Sequence, residues 1–440
     1  MYNYMEPKTE VIFLENNFKC LLIPLDNIKV IQFSLFLKIG EDNEPLDNPN
    51  KYEIAHLLEH LFGFFTSKKY PNGKKNLKNI ENLGIDSGAE VMATYTKYYL
   101  KGLLEYSDFM LDLLCNCYDN FKIDKSIISQ EKMAVIEELN DILNGTWINL
   151  KHKNDKMLFK NHPRSISQDD KKKNVPKIKI KDILEFYEKY YNNHNTLLTV
   201  CGNISKKTIE SIKKTFGRIK NRGTPAIYPV LKRNRNYQIS YVPNKRTNAT
   251  NLFLFFKINL KPYDTESSLY KFISTLLSYG LQSILNRTLR IEKGLIYSIV
   301  TELDLSQSDK NMGYFIFNTT AEYNKIPSVL LEIFKILTDF KKKNRNIVDI
   351  NRVKNIYKLE YQSNILNRQP DNFTDIYSYY ILWNKKIVSL RQRLKKLMNI
   401  TSKDIKLLSN EIFTKDNLVI TYSGKKNITP EINKIVEKYF

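Results

Sequence analysis

The chain has 440 residues, 42% of them hydrophobic and 26% charged, enough apolar material for more than one core and too much for global disorder. Lys and Arg number 69 against 47 acidic residues, a formal net charge of +22, but the lysines run from end to end with only short clusters such as 171–173 and 341–343. No run approaches the roughly 18 consecutive apolar residues of a membrane span, and residues 1–10 lack an apolar stretch and carry Glu6 and Glu10, unlike a secretory signal or transit peptide.

In chain order, Val11–Leu14 and Phe18–Pro24 flank an Asn16-Asn17 turn and read as strands, followed by a third strand over Val30–Ile39. Ile54, Leu57, Leu58, Leu61, Phe62 and Phe65 recur at three and four spacing and predict a helix over Tyr52–Phe65. A second helix is predicted over Ile127–Leu143. Further strand-like runs occur at Leu197–Val200, Leu252–Phe256, Tyr314–Asn318 and Leu418–Tyr422. Helices and strands therefore mix in both halves, an α+β pattern. Cys20, Cys115, Cys117 and Cys201 form no paired framework and are expected to be reduced, mostly buried thiols of an intracellular, cytoplasmic protein. The basic surplus invites a nucleic-acid reading, yet no zinc-finger, recognition-helix or RNA-binding signature accompanies it, and neither nucleic acid nor membrane is the expected partner.

An internal repeat organises the chain. Lys181-Asp182-Ile183, Asn195, Thr199 and Gly202 recur as Lys403-Asp404-Ile405, Asn417, Thr421 and Gly424, each offset by 222 residues. Shared turn chemistry would explain each copy alone; the fixed offset points to two homologous tandem domains. With the Gly/Pro-bearing connector Asn221–Pro225, this predicts an N-terminal domain over 1–220, a linker at 221–232 and a C-terminal domain over 233–440.

The chemistry-bearing pattern is His56-Leu57-Leu58-Glu59-His60. Residues at i and i+4 of a helix share a face, so both imidazoles can reach one metal ion, with Glu59 at the edge of that face near a metal-bound water. This is the inverted form of the His-Glu-x-x-His zinc motif. A catalytic zinc commonly takes a third protein ligand. His152, His162 and His194 are scattered, whereas Glu131, Glu137 and Glu138 lie on the second predicted helix, and Glu131 and Glu138 are two turns apart on one face.

These residues resemble the pitrilysin, insulinase and mitochondrial processing peptidase family of zinc metallopeptidases. Glu138 follows His60 by 78 residues within Val135-Ile136-Glu137-Glu138-Leu139, with Glu131 seven residues upstream. The resemblance implies Glu138 as third ligand, with Glu137 the alternative, and Glu131 as a supporting carboxylate behind the ligands. It extends through Leu14–Phe18, Ile54-Ala55, Asn161-His162-Pro163, Phe186-Tyr187 and Gly202-Asn203. In Leu289–Tyr297 it gives an Arg290 and Tyr297 pair, which in relatives binds substrate backbone and the oxyanion.

The family implies two α/β-sandwich-like domains, each a mostly antiparallel sheet packed with helices, one Zn²⁺ per chain and Glu59 as general base. Short members pair their chains around a closed chamber. The implied protein is therefore a metalloendopeptidase acting on peptides or unfolded segments. A homodimer completed in trans is expected, and a heterodimer with an inactive homologous subunit is the alternative. Two departures stand out. The family's Asn-Ala-x-Thr segment is Gly88-Ala89-Glu90-Val91 here, and the glycine usual two residues before Ala55 is Glu53.

Overall fold

The computed structural model describes residues 6–144, 146–159, 161–229, 236–244, 248–259, 267–305 and 313–440. Residues 230–232 of the expected linker lie outside the described residues. The chain divides into two compact units. The first comprises Met1–Asp141, Asn161–Pro229 and Ser363–Ser389; the second comprises Ile142–Lys160, Val230–Gln362 and Leu390–Phe440.

The first unit contains a sheet of β1 (Glu10–Phe13), β2 (Lys19–Pro24), β3 (Val30–Leu37), β4 (Asp86–Val91), β5 (Thr96–Leu103) and β6 (Thr196–Gly202). Their order is β1-β2-β6-β3-β5-β4, and every neighbouring pair is antiparallel except β2 and β6. The second unit contains β7 (Gln238–Pro243), β8 (Ala249–Ile258), β9 (Ile299–Leu305), β10 (Gly313–Glu322) and β11 (Leu418–Gly424). Here the order is β7-β11-β8-β10-β9, and the one parallel pair is β7 with β11. Apart from β1, the two sheets share one topology, as the α+β expectation of two similar mostly antiparallel sheets requires.

The repeated residues have physical work at equivalent places. Helices Ile180–Tyr190 and Ser402–Ile412 and strands β6 and β11 are all offset by 222. Asp182 accepts the Lys179 N–H at 3.0 Å and Asp404 accepts the Thr401 N–H at 2.9 Å, so each closes its helix N-terminus. Asn195 donates to the Tyr190 carbonyl at 2.9 Å and Asn417 to that of Ile412 at 3.1 Å, satisfying the other end. A Cβ on Gly202 would lie 2.4 Å from the Val30 carbonyl oxygen, and one on Gly424 would lie 2.4 Å from Thr250 Oγ1.

Both faces of each sheet are covered, which explains why the central strands read as continuous apolar runs rather than alternating ones. On β8, Leu252, Leu254 and Phe256 enter the main core of the second unit. Phe253 and Phe255 point to the opposite face, where they meet Leu150 and Leu158 of helix Thr146–Leu158 and the following Phe159. In the first unit the second face is covered by helix Asp371–Leu382, which packs on β2, β3 and β6. Ser378 Oγ lies 2.7 Å from Thr199 Oγ1, and Lys101 reaches Asp371 at 2.7 Å. Each sheet thus takes one covering helix from the far side of the 221–232 linker expected from the sequence. The four cysteines are buried free thiols. Among the described residues no helix is long and apolar enough to cross a membrane.

Candidate metal centre

Helix Ile54–Gly63, the motif helix, buries Ile54, Ala55, Leu57, Leu58, Leu61 and Phe62 against the first core. That anchoring leaves His56, Glu59 and His60 along one side, as their spacing predicts. The helix N-terminus is closed by a carboxylate from an earlier segment. Glu44 accepts the Glu53 N–H at 2.9 Å and the Ala55 N–H at 3.0 Å, pairing two donors that the helix itself cannot satisfy. Glu53 enters the helix with φ of +69°, a left-handed conformation that costs a non-glycine residue roughly 1–2 kcal/mol.

The two imidazoles are held from behind and converge in front. His56 Nδ1 lies 2.8 Å from Glu53 Oε2, and His60 Nδ1 lies 3.1 Å from Glu131 Oε2. With each Nδ1 engaged, the Nε2 atoms face Glu138, whose carboxylate oxygens lie 3.2 Å from His56 Nε2 and 3.5 Å from His60 Nε2. Glu59 Oε2 is 3.9 Å from His60 Nε2. The donor atoms of His56, Glu59 and His60 all fall within 4.8 Å of one another. Two imidazole nitrogens and a carboxylate oxygen facing a common point, each imidazole with a carboxylate on its far nitrogen, form a donor set that suits zinc. Glu131 and Glu138 reach it from helix Ile128–Asn144; Glu137 and Glu138 are both exposed, and it is the Glu138 carboxylate that lies within 3.5 Å of the imidazole Nε2 atoms.

The surroundings are strongly polarised. Burial opposes charge on His56, but hydrogen bonds to Glu138 and Glu53 outweigh it and push the metal-free ring up to about 10. Burial pushes the Glu59 carboxyl up. The hydrogen bond from His56 holds Glu138 down. Glu53 is buried, yet Lys171 and His56 hold it below the usual carboxylate range. The Lys171 ammonium is itself buried, 2.6 Å from Glu53 Oε1 and 2.9 Å from Glu41 Oε2. Glu41, Glu53 and Glu44 keep it charged against the cost of burial.

Two other histidines serve elsewhere. His162 is buried, accepts the Arg164 N–H at 3.2 Å, and is driven down to about 3 by burial and the Arg164 charge. His194 Nε2 pairs with Asn221 at 3.0 Å. Arg290 and Tyr297 belong to the second unit, where the guanidinium carbon sits 4.6 Å from the centre of the exposed Tyr297 ring. Gly88–Val91, in place of the Asn-Ala-x-Thr segment, form the greater part of β4, which ends its sheet order beyond β5. A Cβ on Gly88 would lie 2.5 Å from the Tyr99 ring. The sequence marks Glu53 as a departure at the entry to the motif helix but gives no sign of its partners Lys171 and Glu44.

With two like-folded sheets and an inverted histidine motif, the chain has the outline of a two-domain peptidase. Its residues 26–165 match the family described as Insulinase (Peptidase family M16), and residues 177–357 match the Peptidase M16 inactive domain. The chain belongs to the M16, or insulinase, peptidase family. The zinc protease PqqE of Helicobacter pylori is 23% identical over 92% of this chain and 90% of its own length. Cytochrome b-c1 complex subunit 1 of Bos taurus is 24% identical over 42% of this chain and 40% of its own. The solved structure of a protease from Helicobacter pylori, 22% identical, superposes with a TM-score of 0.83 over 95% of this chain and 99% of that one.

Proposed function

We propose that the protein is a zinc-dependent metalloendopeptidase that hydrolyses peptides or unfolded polypeptide segments inside a closed chamber. The observation that carries this reading is the convergence of His56 Nε2, His60 Nε2 and the Glu138 carboxylate, with Glu59 beside them. The PqqE relative's name, zinc protease, points the same way. His56, His60 and Glu138 would hold the metal. When bound, zinc supplies a Lewis acid and brings the pKa of a water ligand near 7. Glu59 takes up the proton of the attacking water and hands it to the leaving amine, and its burial strengthens its hold on a proton. Arg290 and Tyr297, assigned by family resemblance, hold substrate backbone and the developing oxyanion.

The chain carries both sets of residues, so a homodimer whose two sites are completed in trans is the economical assembly. A heterodimer with an inactive homologous subunit is the alternative. A second reading, a retired peptidase acting as a structural or partner subunit, draws on the bovine relative named as a subunit of the cytochrome b-c1 complex. Retention of His56, Glu59, His60 and Glu138 in one cluster favours the enzyme. The test is zinc content and cleavage of a quenched mixed-peptide library by the protein and by Glu59→Gln. Zinc near one per chain in both, with cleavage by the unaltered protein alone, is the expected result. Zinc without cleavage in either supports the subunit reading, and absence of zinc in both refutes the site.

A further inference from the structure

Glu53 occupies the place where a glycine would meet no conformational penalty. Its φ of +69° lies in the left-handed region, yet its buried side chain faces two charge-bearing groups. One oxygen faces His56 Nδ1 at 2.8 Å and the other faces the Lys171 ammonium at 2.6 Å. Lys171 is buried and its other partner is Glu41 at 2.9 Å. Glu44, behind them, is committed to the N–H groups of Glu53 and Ala55. The carboxylate thus has the Lys171 ammonium as an ion-pair partner at one oxygen and the imidazole at the other.

We propose that Glu53, clamped by Lys171, is a positioning residue that fixes the ring and tautomer of His56 so that Nε2 presents its lone pair to a divalent metal. The inference rests on the metal-centre reading above and deepens it. The chemistry is specific. Lys171 has three donors and no acceptor, so whatever replaces Glu53 must turn an oxygen toward it. Glutamate has a second oxygen left for His56, which keeps a proton on Nδ1, so that Nε2 is the nitrogen that presents its lone pair to a metal. Glutamine has one oxygen only. Lys171 claims it, the amide NH₂ then faces Nδ1, and the ring proton is forced onto Nε2, where it blocks ligation. Glycine removes the carboxylate, relieves the backbone, and leaves the ring free to choose its tautomer with water.

The two substitutions therefore fall in opposite orders under the two possible roles. If Glu53 only fills space, Glu53→Gln, its isostere, resembles the unaltered protein and Glu53→Gly is the more damaged. If Glu53 orients His56, Glu53→Gly weakens zinc binding by about 10- to 100-fold and Glu53→Gln weakens it further.

The experiment is a chelator-competition titration of zinc against the metal-free full-length protein and both variants, with circular dichroism to show that each is folded. A Co²⁺ absorption spectrum serves as the second readout, because a disoriented imidazole changes the ligand field. Glu53→Gln binding within twofold of the unaltered protein, with the same cobalt spectrum, overturns the inference even if Glu53→Gly fails to fold. Loss of zinc binding by the unaltered protein would sink the metal-centre reading itself, a result distinct from equal binding by all three.

Discussion

Replacing Lys171 with methionine tests the buried network behind the candidate metal centre. Methionine has nearly the volume of the lysine stem, so packing changes little and the perturbation is electrostatic. In the native protein the ammonium lies 2.6 Å from Glu53 and 2.9 Å from Glu41, with the Glu44 carboxylate also contributing to its field. Removing it takes the Lys171 charge from the buried Glu53, leaves it the His56 ring, and sets it beside the buried Glu44. Breaking a buried ion pair by deleting one partner typically costs about 3–5 kcal/mol. The sign of the pH dependence follows from Glu53. Lys171 and His56 hold its folded pKa below the unfolded value, so it contributes stability above the unfolded pKa and loses it as pH falls through the folded one. Without Lys171 the Glu53 carboxyl rises, and its protonated form becomes the less costly state in acid. The difference between variant and parent should therefore be near its full value at pH 7.5 and smaller at pH 5. Urea unfolding of metal-free protein in a Trp147→Phe background would read this through Trp383, which is buried in the first unit. A loss under about 1 kcal/mol at pH 7.5, far below the cost of breaking a buried pair, would refute the argument. So would an equal loss at both pH values.

Two further predictions concern assembly. If the sites are completed in trans, Glu59→Gln and Tyr297→Phe are each poor enzymes alone, and mixing them after dissociation should restore activity to about a quarter of the native level, because random pairing makes half the dimers hybrid with one intact site each; no recovery on mixing would exclude completion in trans. A fragment of residues 1–229 lacks helix Asp371–Leu382 and bares the apolar face it covers, so it should be insoluble or fail to bind zinc, whereas a soluble, zinc-binding fragment would show the covering helix to be dispensable.

What could be read in the sequence is what local chemistry dictates. The motif helix, the helix bearing Glu131 and Glu138, and the central strands were legible because their apolar spacing matches a helix or a doubly covered strand. The 222-residue offset was legible because Asp182, Asn195 and Gly202 do backbone jobs that have few substitutes, and so do Asp404, Asn417 and Gly424. Which of Glu137 and Glu138 turns toward the imidazoles depends on the helix's orientation, which adjacent residues on one helix cannot supply. The covering helices were not legible, since nothing in Thr146–Leu158 or Asp371–Leu382 states which sheet it will bury. Nor was the Glu53–Lys171 pair. It joins positions 118 residues apart in the chain, and a charge pattern does not reveal which lysine will be buried.

The electrostatics of the cluster run against those of the chain. In a protein of net charge +22, six carboxylates, Glu41, Glu44, Glu53, Glu59, Glu131 and Glu138, gather about two imidazoles and one ammonium. They divide by position. Glu53 and Glu131 meet Nδ1 atoms and fix where the rings point, while Glu138 and Glu59 lie on the Nε2 side where chemistry would occur. The field that pushes metal-free His56 up to about 10 is the field that favours a cation between the two Nε2 atoms. A proton satisfies only part of it, because it can sit on one nitrogen and face one carboxylate oxygen. A divalent ion held by His56, His60 and Glu138 as proposed would satisfy more of it, and its binding would release the proton that His56 holds. Zinc uptake should therefore be coupled to proton release from a histidine, and the carboxylates behind the rings set how firmly that exchange is driven.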